Sequence, residues 1–283
     1  MARTRKLFAA LTRRGRHQVL RGDLAFAGLP GIVYTPAAGF NLPGVAFGHD
    51  WLTDADHYVT TLEHLASWGI VAAAPNTERG LAPSVLNLAF DMGTTLDIIT
   101  GVRLGPGEIS VHPTKLGLVG HGLGGSAAVF AAAGLSGAGT GAPKAVAALF
   151  PAVTKPPAAQ PAAALKVPGL VLSAPDDAIS LRTDAQNLAT AWTGSVLRVV
   201  SKAESAGLAE KRRFAGALGL PGSDRKTQKT TRALLTGFLL YHLTGDKDYR
   251  EFADPEAVLP KTEALDPEAV PVTPEEQIIA LLR

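Results

Sequence analysis

Short apolar runs alternate along this chain with longer stretches of helical periodicity. The runs are Gly44-Val-Ala-Phe47, Ile70-Val-Ala-Ala-Ala74, Leu116-Gly-Leu-Val119, Ala145-Val-Ala-Ala-Leu-Phe150, Gly169-Leu-Val-Leu172 and Ser195–Val200. Each has the length of a strand buried on both faces. Between them, Tyr58–Trp68 repeats its apolar residues at helical spacing, with Leu62, Leu65 and Ala66 on the inner face. Helices are also predicted from Ser84 to about Val102, from Ser126 to about Ala133, and over Lys226–Leu243. The apolar positions of the Ser84 helix include Leu86, Leu88, Phe90 and Leu96. His17–Phe26 and Gly31–Tyr34 alternate as an opening hairpin turned at Ala27-Gly-Leu-Pro-Gly31. Strands alternating with helices predict an α/β fold, a mainly parallel sheet covered by helices on both faces.

The Pro- and Ala-rich segment Val153–Ala164 reads as a loop. From Asp246 onward, prolines at 255, 260, 267, 271 and 274 predict an extended tail. Thr273-Pro-Glu-Glu276 then resembles a helix start, opening a short helix with Ile278, Ile279, Leu281 and Leu282. The division expected is a basic arm over 1–20, one α/β domain over 21–245 and a Pro/Glu-rich tail over 246–283.

Charge changes this picture at the ends. The formal net charge of +2 hides an N-terminal stretch with Arg3, Arg5, Lys6, Arg13, Arg14, Arg16 and Arg21 and no acid up to residue 21. Leu7–Leu11 is too short for the apolar core of a signal peptide, and arginines follow it. The arm reads either as a contact for an anionic membrane surface or acidic partner, or as a solvated, frayed start that aids solubility. It lacks the interleaved aromatics of a nucleic-acid arm, so no nucleic-acid partner is expected. The chain has no cysteine, which removes disulfides and Cys-based metal or redox chemistry and agrees with a cytoplasmic protein, peripheral to a membrane if the arm binds lipid.

The chemistry-bearing segment is Lys115-Leu-Gly-Leu-Val-Gly-His-Gly-Leu-Gly-Gly125. An apolar strand runs into a glycine-rich turn and then an Ala-rich helix, the context that a G-x-S-x-G nucleophile elbow requires. The central position is Gly122, which has no side chain to attack with.

The chain resembles the α/β-hydrolase superfamily, in particular its dienelactone-hydrolase and polyester-hydrolase (cutinase-like) branch, over roughly residues 20–245. The segments that carry the resemblance are Pro43–Trp51, Leu65–Asn76, His112–His121 and Val167–Asp177, in that order. The resemblance implies a triad in the order Ser, Asp, His. Its nucleophile position falls on Gly122. Its acid falls on Asp177, with Asp176 beside it. Its histidine slot falls on Ser205, in the loop after Ser195–Val200, and no histidine occurs between His121 and His242. The oxyanion hole would use the backbone N–H groups of Leu123 and Trp51. Asp50 replaces the usual glycine of the oxyanion loop, and its carboxylate would oppose a developing oxyanion.

The resemblance therefore implies a catalytically inactive member, a pseudoenzyme acting as a ligand-binding or scaffold module without cofactor. Its cleft would hold an apolar or ester-like small molecule, and its tail would dock on a protein partner or a second copy. The alternative is a non-standard hydrolase or lyase working through Asp50, His49 and His121. Ser126 and Ser173 read as core or cap hydroxyls, and the His49–His57 run as helix-capping rather than metal-binding. The glycine-rich turn lacks the Lys-Ser/Thr ending of a nucleotide-binding loop.

Overall fold

The computed structural model describes residues 2–137, 139–175, 177, 183–211 and 222–263. Among them, nine strands form one sheet: β1 (Val19–Asp23), β2 (Gly31–Pro36), β3 (Gly39–Gly48), β4 (Val71–Pro75), β5 (Ile109–His121), β6 (Ala145–Leu149), β7 (Gly169–Ser173), β8 (Ser195–Val200) and β9 (Thr262–Glu263). Their order is β1-β2-β4-β3-β5-β6-β7-β8-β9. From β4 through β8 every neighbouring pair is parallel. β1, β2 and β9 join antiparallel at the two edges. This is an α/β fold. β4, β6 and β7 are buried at every position, which is why they read as unbroken apolar runs rather than alternating ones.

The sheet divides two apolar cores. On one face Val45, Phe47, Leu170 and Leu172 pack with helices α1 (Ala2–Leu11), α2 (Val59–Ser67) and α7 (Arg225–Leu239). On the other, Ala46, Val146 and Val171 pack with α3 (Val85–Gly101), α4 (Leu123–Leu135), the short α5 (Ala159–Ala162) and α6 (Ala185–Ala191). Strand residues alternate between the two cores with the period of the pleat. Among the described residues, no helix is long and apolar enough to cross a membrane.

Three segments depart from the sequence expectation. The basic start is a docked helix rather than a frayed arm: Phe8 and Leu11 are buried against the core, and the arginines point outward. Thr4, Phe8 and Leu11 follow one helical stripe, and Arg3 and Thr4 reach Asp248 and Glu251. The Val153–Ala164 segment contains α5, which buries Ala158 and Ala162 and tolerates Pro161 within its first turn. Residues 246–263 are a strap rather than an extended tail. A 3-10 turn over Lys247–Phe252 seats Phe252 on Gly237, where a Cβ would lie 2.3 Å from the ring. Arg198 of β8 then donates to the carbonyls of Ala257 (2.7 Å) and Asp254, and β9 closes onto β8. The apolar terminal helix expected after Thr273 lies outside the described residues.

Between α1, α2 and α7 sits a polar cluster. Glu210 accepts from the N–H groups of Thr60 (2.9 Å) and Thr61 (3.1 Å), capping the start of α2, and faces Arg232 at 3.8 Å. His64 is buried nearby, and burial first, then the Arg232 guanidinium, push its pKa down to about 4. A depressed histidine stabilises the fold above its unfolded pKa near 6.5 and loses that contribution as pH falls toward the folded value. Between pH 7.5 and 4.5 the native protein should therefore lose roughly 2.5 kcal/mol more stability than a His64→Gln variant in urea unfolding. Parallel pH dependences would show that His64 does not titrate across folding.

Candidate functional site

The elbow is built from β5, Gly122 and α4. Gly122 has φ 53° and ψ −116°, a left-handed conformation that favours glycine. Its N–H donates to Leu149 (3.0 Å), and its carbonyl accepts from Gly125, Ser126 and Ala152. Three other glycines set the depth of the turn. A Cβ on Gly120 would lie 2.0 Å from the Gly124 carbonyl oxygen, and one on Gly124 would lie 2.1 Å from the Gly48 carbonyl oxygen. The first turn of α4 thus rests directly on the backbone at the ends of β3 and β5.

Asp50 follows β3 and covers the tip of the elbow. Its Oδ1 accepts from the Leu123 N–H at 3.0 Å. The same oxygen lies 1.9 Å from where a Cβ on residue 122 would stand. The carboxylate therefore fills the space into which a nucleophile's side chain would project. It also occupies the Leu123 N–H, one of the two that the hydrolase resemblance would give an oxyanion, and it caps the positive end of α4. An external anion at this helix start would have to displace it.

The two histidines are engaged elsewhere. His49 is fully buried, with Nδ1 2.9 Å from the Asp50 carbonyl oxygen and Nε2 2.7 Å from that of Thr77. A neutral ring has one N–H and serves one of these acceptors at a time. His121 is buried between Tyr58 Oη, 2.7 Å from Nδ1, and the Ser205 carbonyl oxygen, 2.8 Å from Nε2. That pattern assigns the proton to Nε2, with Nδ1 accepting from the tyrosine. Tyr58 also accepts from the Asp50 N–H at 3.2 Å. One chain of hydrogen bonds thus runs from the Asp50 backbone through Tyr58 and His121 to the loop after β8. The structure brings His49, Asp50, His121 and Ser205 together, but the imidazoles act as struts between backbone segments.

Asp177, at the end of β7, turns back on its own strand. Its Oδ2 accepts from the Ala174 N–H (2.7 Å) and the Ser173 hydroxyl (3.1 Å). Asp176 lies outside the described residues. Ser126 is fully buried and donates to the Ala152 carbonyl at 2.6 Å. Along the His49–His57 run, Asp54 and His57 form a capping box at the turn Ala55–Tyr58, 2.6 Å apart, and Asp56 faces Arg21. Among the described residues, no three His, Cys, Asp or Glu side chains gather as metal ligands would. His242 packs on Phe238 in the π-helical turn Leu240–Thr244 that follows α7.

Apolar side chains lie exposed on the segments that border the elbow. Trp51 is 47% exposed and its indole N–H donates to the Leu81 carbonyl at 3.0 Å. Leu52, Leu81, Leu86 and Phe90 are exposed as well, Leu81 by 81% and Phe90 by 75%. Leu86 and Phe90 were expected among the apolar positions of their helix. They stand four residues apart on its outer face, while Leu88, Met92 and Leu96 form the inner stripe. That split was legible from 3.6-residue spacing. Tyr58 was read only as a helix start; nothing in its sequence context marks it as the link between Asp50 and His121.

The arrangement predicts a coupling. Gly122→Ala should cost about 1–3 kcal/mol for the positive φ and about 1–2 kcal/mol more for pushing the carboxylate off Leu123. In an Asp50→Ala background the second part should vanish, so a double-mutant cycle of denaturant unfolding should show the pair less destabilised than the sum of the singles. Simple additivity would mean that Asp50 does not cover Gly122. The chain matches no protein-family model and no curated protein.

Proposed function

We propose that this chain is an α/β-hydrolase-fold protein, of the dienelactone-hydrolase and polyester-hydrolase type, that does not hydrolyse and acts by binding. The observation that carries the reading is the Asp50 carboxylate over Gly122. A hydrolase of this type needs a side-chain nucleophile at the elbow and a free N–H for the oxyanion. Here the first is absent, and its space and one of the two oxyanion N–H groups, that of Leu123, are taken by an acid. The strand order, the strand-turn-helix at Gly122 and the reach of the post-β8 loop to His121 support the kinship. The binding surface in this reading is the apolar border of Trp51, Leu52, Leu81, Leu86 and Phe90, which suits an apolar or ester-like ligand or the apolar face of a protein partner.

The test is turnover of acetyl, butyryl and lauroyl nitrophenyl esters beside fluorophosphonate labelling. The native protein and Gly122→Ser should show neither saturable turnover nor label, since an added serine would meet Asp50 and find no base. Saturable turnover by the native protein that falls at least tenfold in Asp50→Asn would overturn the reading. It would establish instead a hydrolase or lyase centred on Asp50, with His49 and His121 as its neighbours.

A further inference from the structure

A second site lies at the far end of the sheet from the elbow. The loop after α1 runs across the end of α2, beside the start of β4, and borders a cleft of about 670 Å³ that is open to solvent. Arg13, Arg14, Arg16, Trp68, Asp246 and Tyr249 are among the residues that line it.

The loop is held in place. The Trp68 indole N–H donates to the Arg13 carbonyl (3.1 Å), the Gly15 N–H to the Ser67 hydroxyl (2.8 Å) and the His17 N–H to the Ser67 carbonyl (3.0 Å). Gly15 is required for this approach, because a Cβ there would lie 2.3 Å from the Ser67 carbonyl oxygen. A basic stretch that only aided solubility would not need such fixing.

Nor are the arginines needed to satisfy helix ends. Backbone N–H groups of Trp68, Gly69 and His17 already serve the last carbonyls of α2. Thr12 and Arg13 N–H groups serve those of α1, and Gly245 serves the turn after α7. Arg14 pairs with Glu63 at 2.9 Å. Arg13 and Arg16 are exposed and have no carboxylate partner among the described residues.

We propose that this cavity binds an organic phosphate of nucleotide size. Arg13 and Arg16, exposed residues of the lining, are the cations that would take the phosphate, since the planar guanidinium fork matches such groups. Trp68 and Tyr249 give a planar or apolar part a surface to pack on. Asp246 Oδ1 accepts from the Asp248 N–H (3.0 Å) and caps the turn over Lys247–Phe252; its other oxygen is the acceptor for a hydroxyl or amino group of the ligand, and its charge disfavours bare inorganic phosphate. The volume is that of a small-molecule site. This site is independent of the elbow and of the binding reading proposed for it.

Calorimetric titration of the full chain with ATP and AMP tests the proposal, with inorganic phosphate as the bare anion. Saturable binding of at least one nucleotide is expected, with inorganic phosphate weaker. Arg13→Gln/Arg16→Gln should weaken it at least about tenfold. Arg5→Gln/Lys6→Gln, which removes the same charge from outside the cavity, should leave it unchanged. Lipid phosphate is separated by sedimentation with phosphatidylglycerol vesicles. Binding to vesicles but not to nucleotides, lost only in the cavity pair, would assign the phosphate to a headgroup. No binding in either arm, or equal loss in both variant pairs, would overturn the site. All four substitutions are of surface cations, and an unchanged melting temperature confirms that the variants are folded.

Discussion

The first turn of α4 lies against the backbone of β3 and β5 with no side chains between them, and the rest of the elbow depends on that approach. A Cβ on Gly120 or Gly124 would overlap a carbonyl, and one on Gly48 would lie 2.9 Å from the Gly124 Cα. The helix start is therefore fixed in depth and direction at the edge of the two central strands. Its N–H groups are presented at the point where β3 ends and the chain turns into Asp50. What stands at residues 50 and 122 is decided chemically, but where they stand is decided by the three glycines.

Given that position, a helix N-terminus left bare would be costly, and the chain satisfies it with a carboxylate of its own. Asp50 supplies the acceptor, and its backbone N–H is in turn held by Tyr58, which leans on His121. The Leu123 and Asp50 N–H groups, Tyr58 and His121 have internal partners, and Trp51 and Leu52 beside them expose apolar side chains. At the opposite end of the sheet the relation is reversed. The backbone of the basic loop is held at Arg13, Gly15 and His17, while the Arg13 and Arg16 side chains are exposed.

The alternation of apolar runs with helical stretches was sufficient to place β3 to β8 and helices α2, α3, α4 and α7, because a strand buried on both faces has few compositions open to it. Gly122 and Asp50 were legible as residue identities, a glycine at the strand-to-helix turn and an acid after the apolar run of β3. The strap over 246–263 was not, since its prolines describe a chain that avoids regular structure. Its hold comes from Arg198 and from the seat of Phe252 on Gly237, partners distant in sequence. The docking of α1 was likewise hidden under its arginines, since Phe8 and Leu11 make only a short stripe.

By itself the sequence determined the α/β class, the absence of a nucleophile at residue 122 and the presence of an acid at residue 50. These follow from local composition and from the presence or absence of a side chain. Only the tertiary structure decided that the acid covers the glycine, that His49 and His121 brace backbone segments, and that the basic start frames a cavity. Each of those facts is a distance between residues far apart in the chain, set by how the helices pack on the sheet, and no periodicity records it.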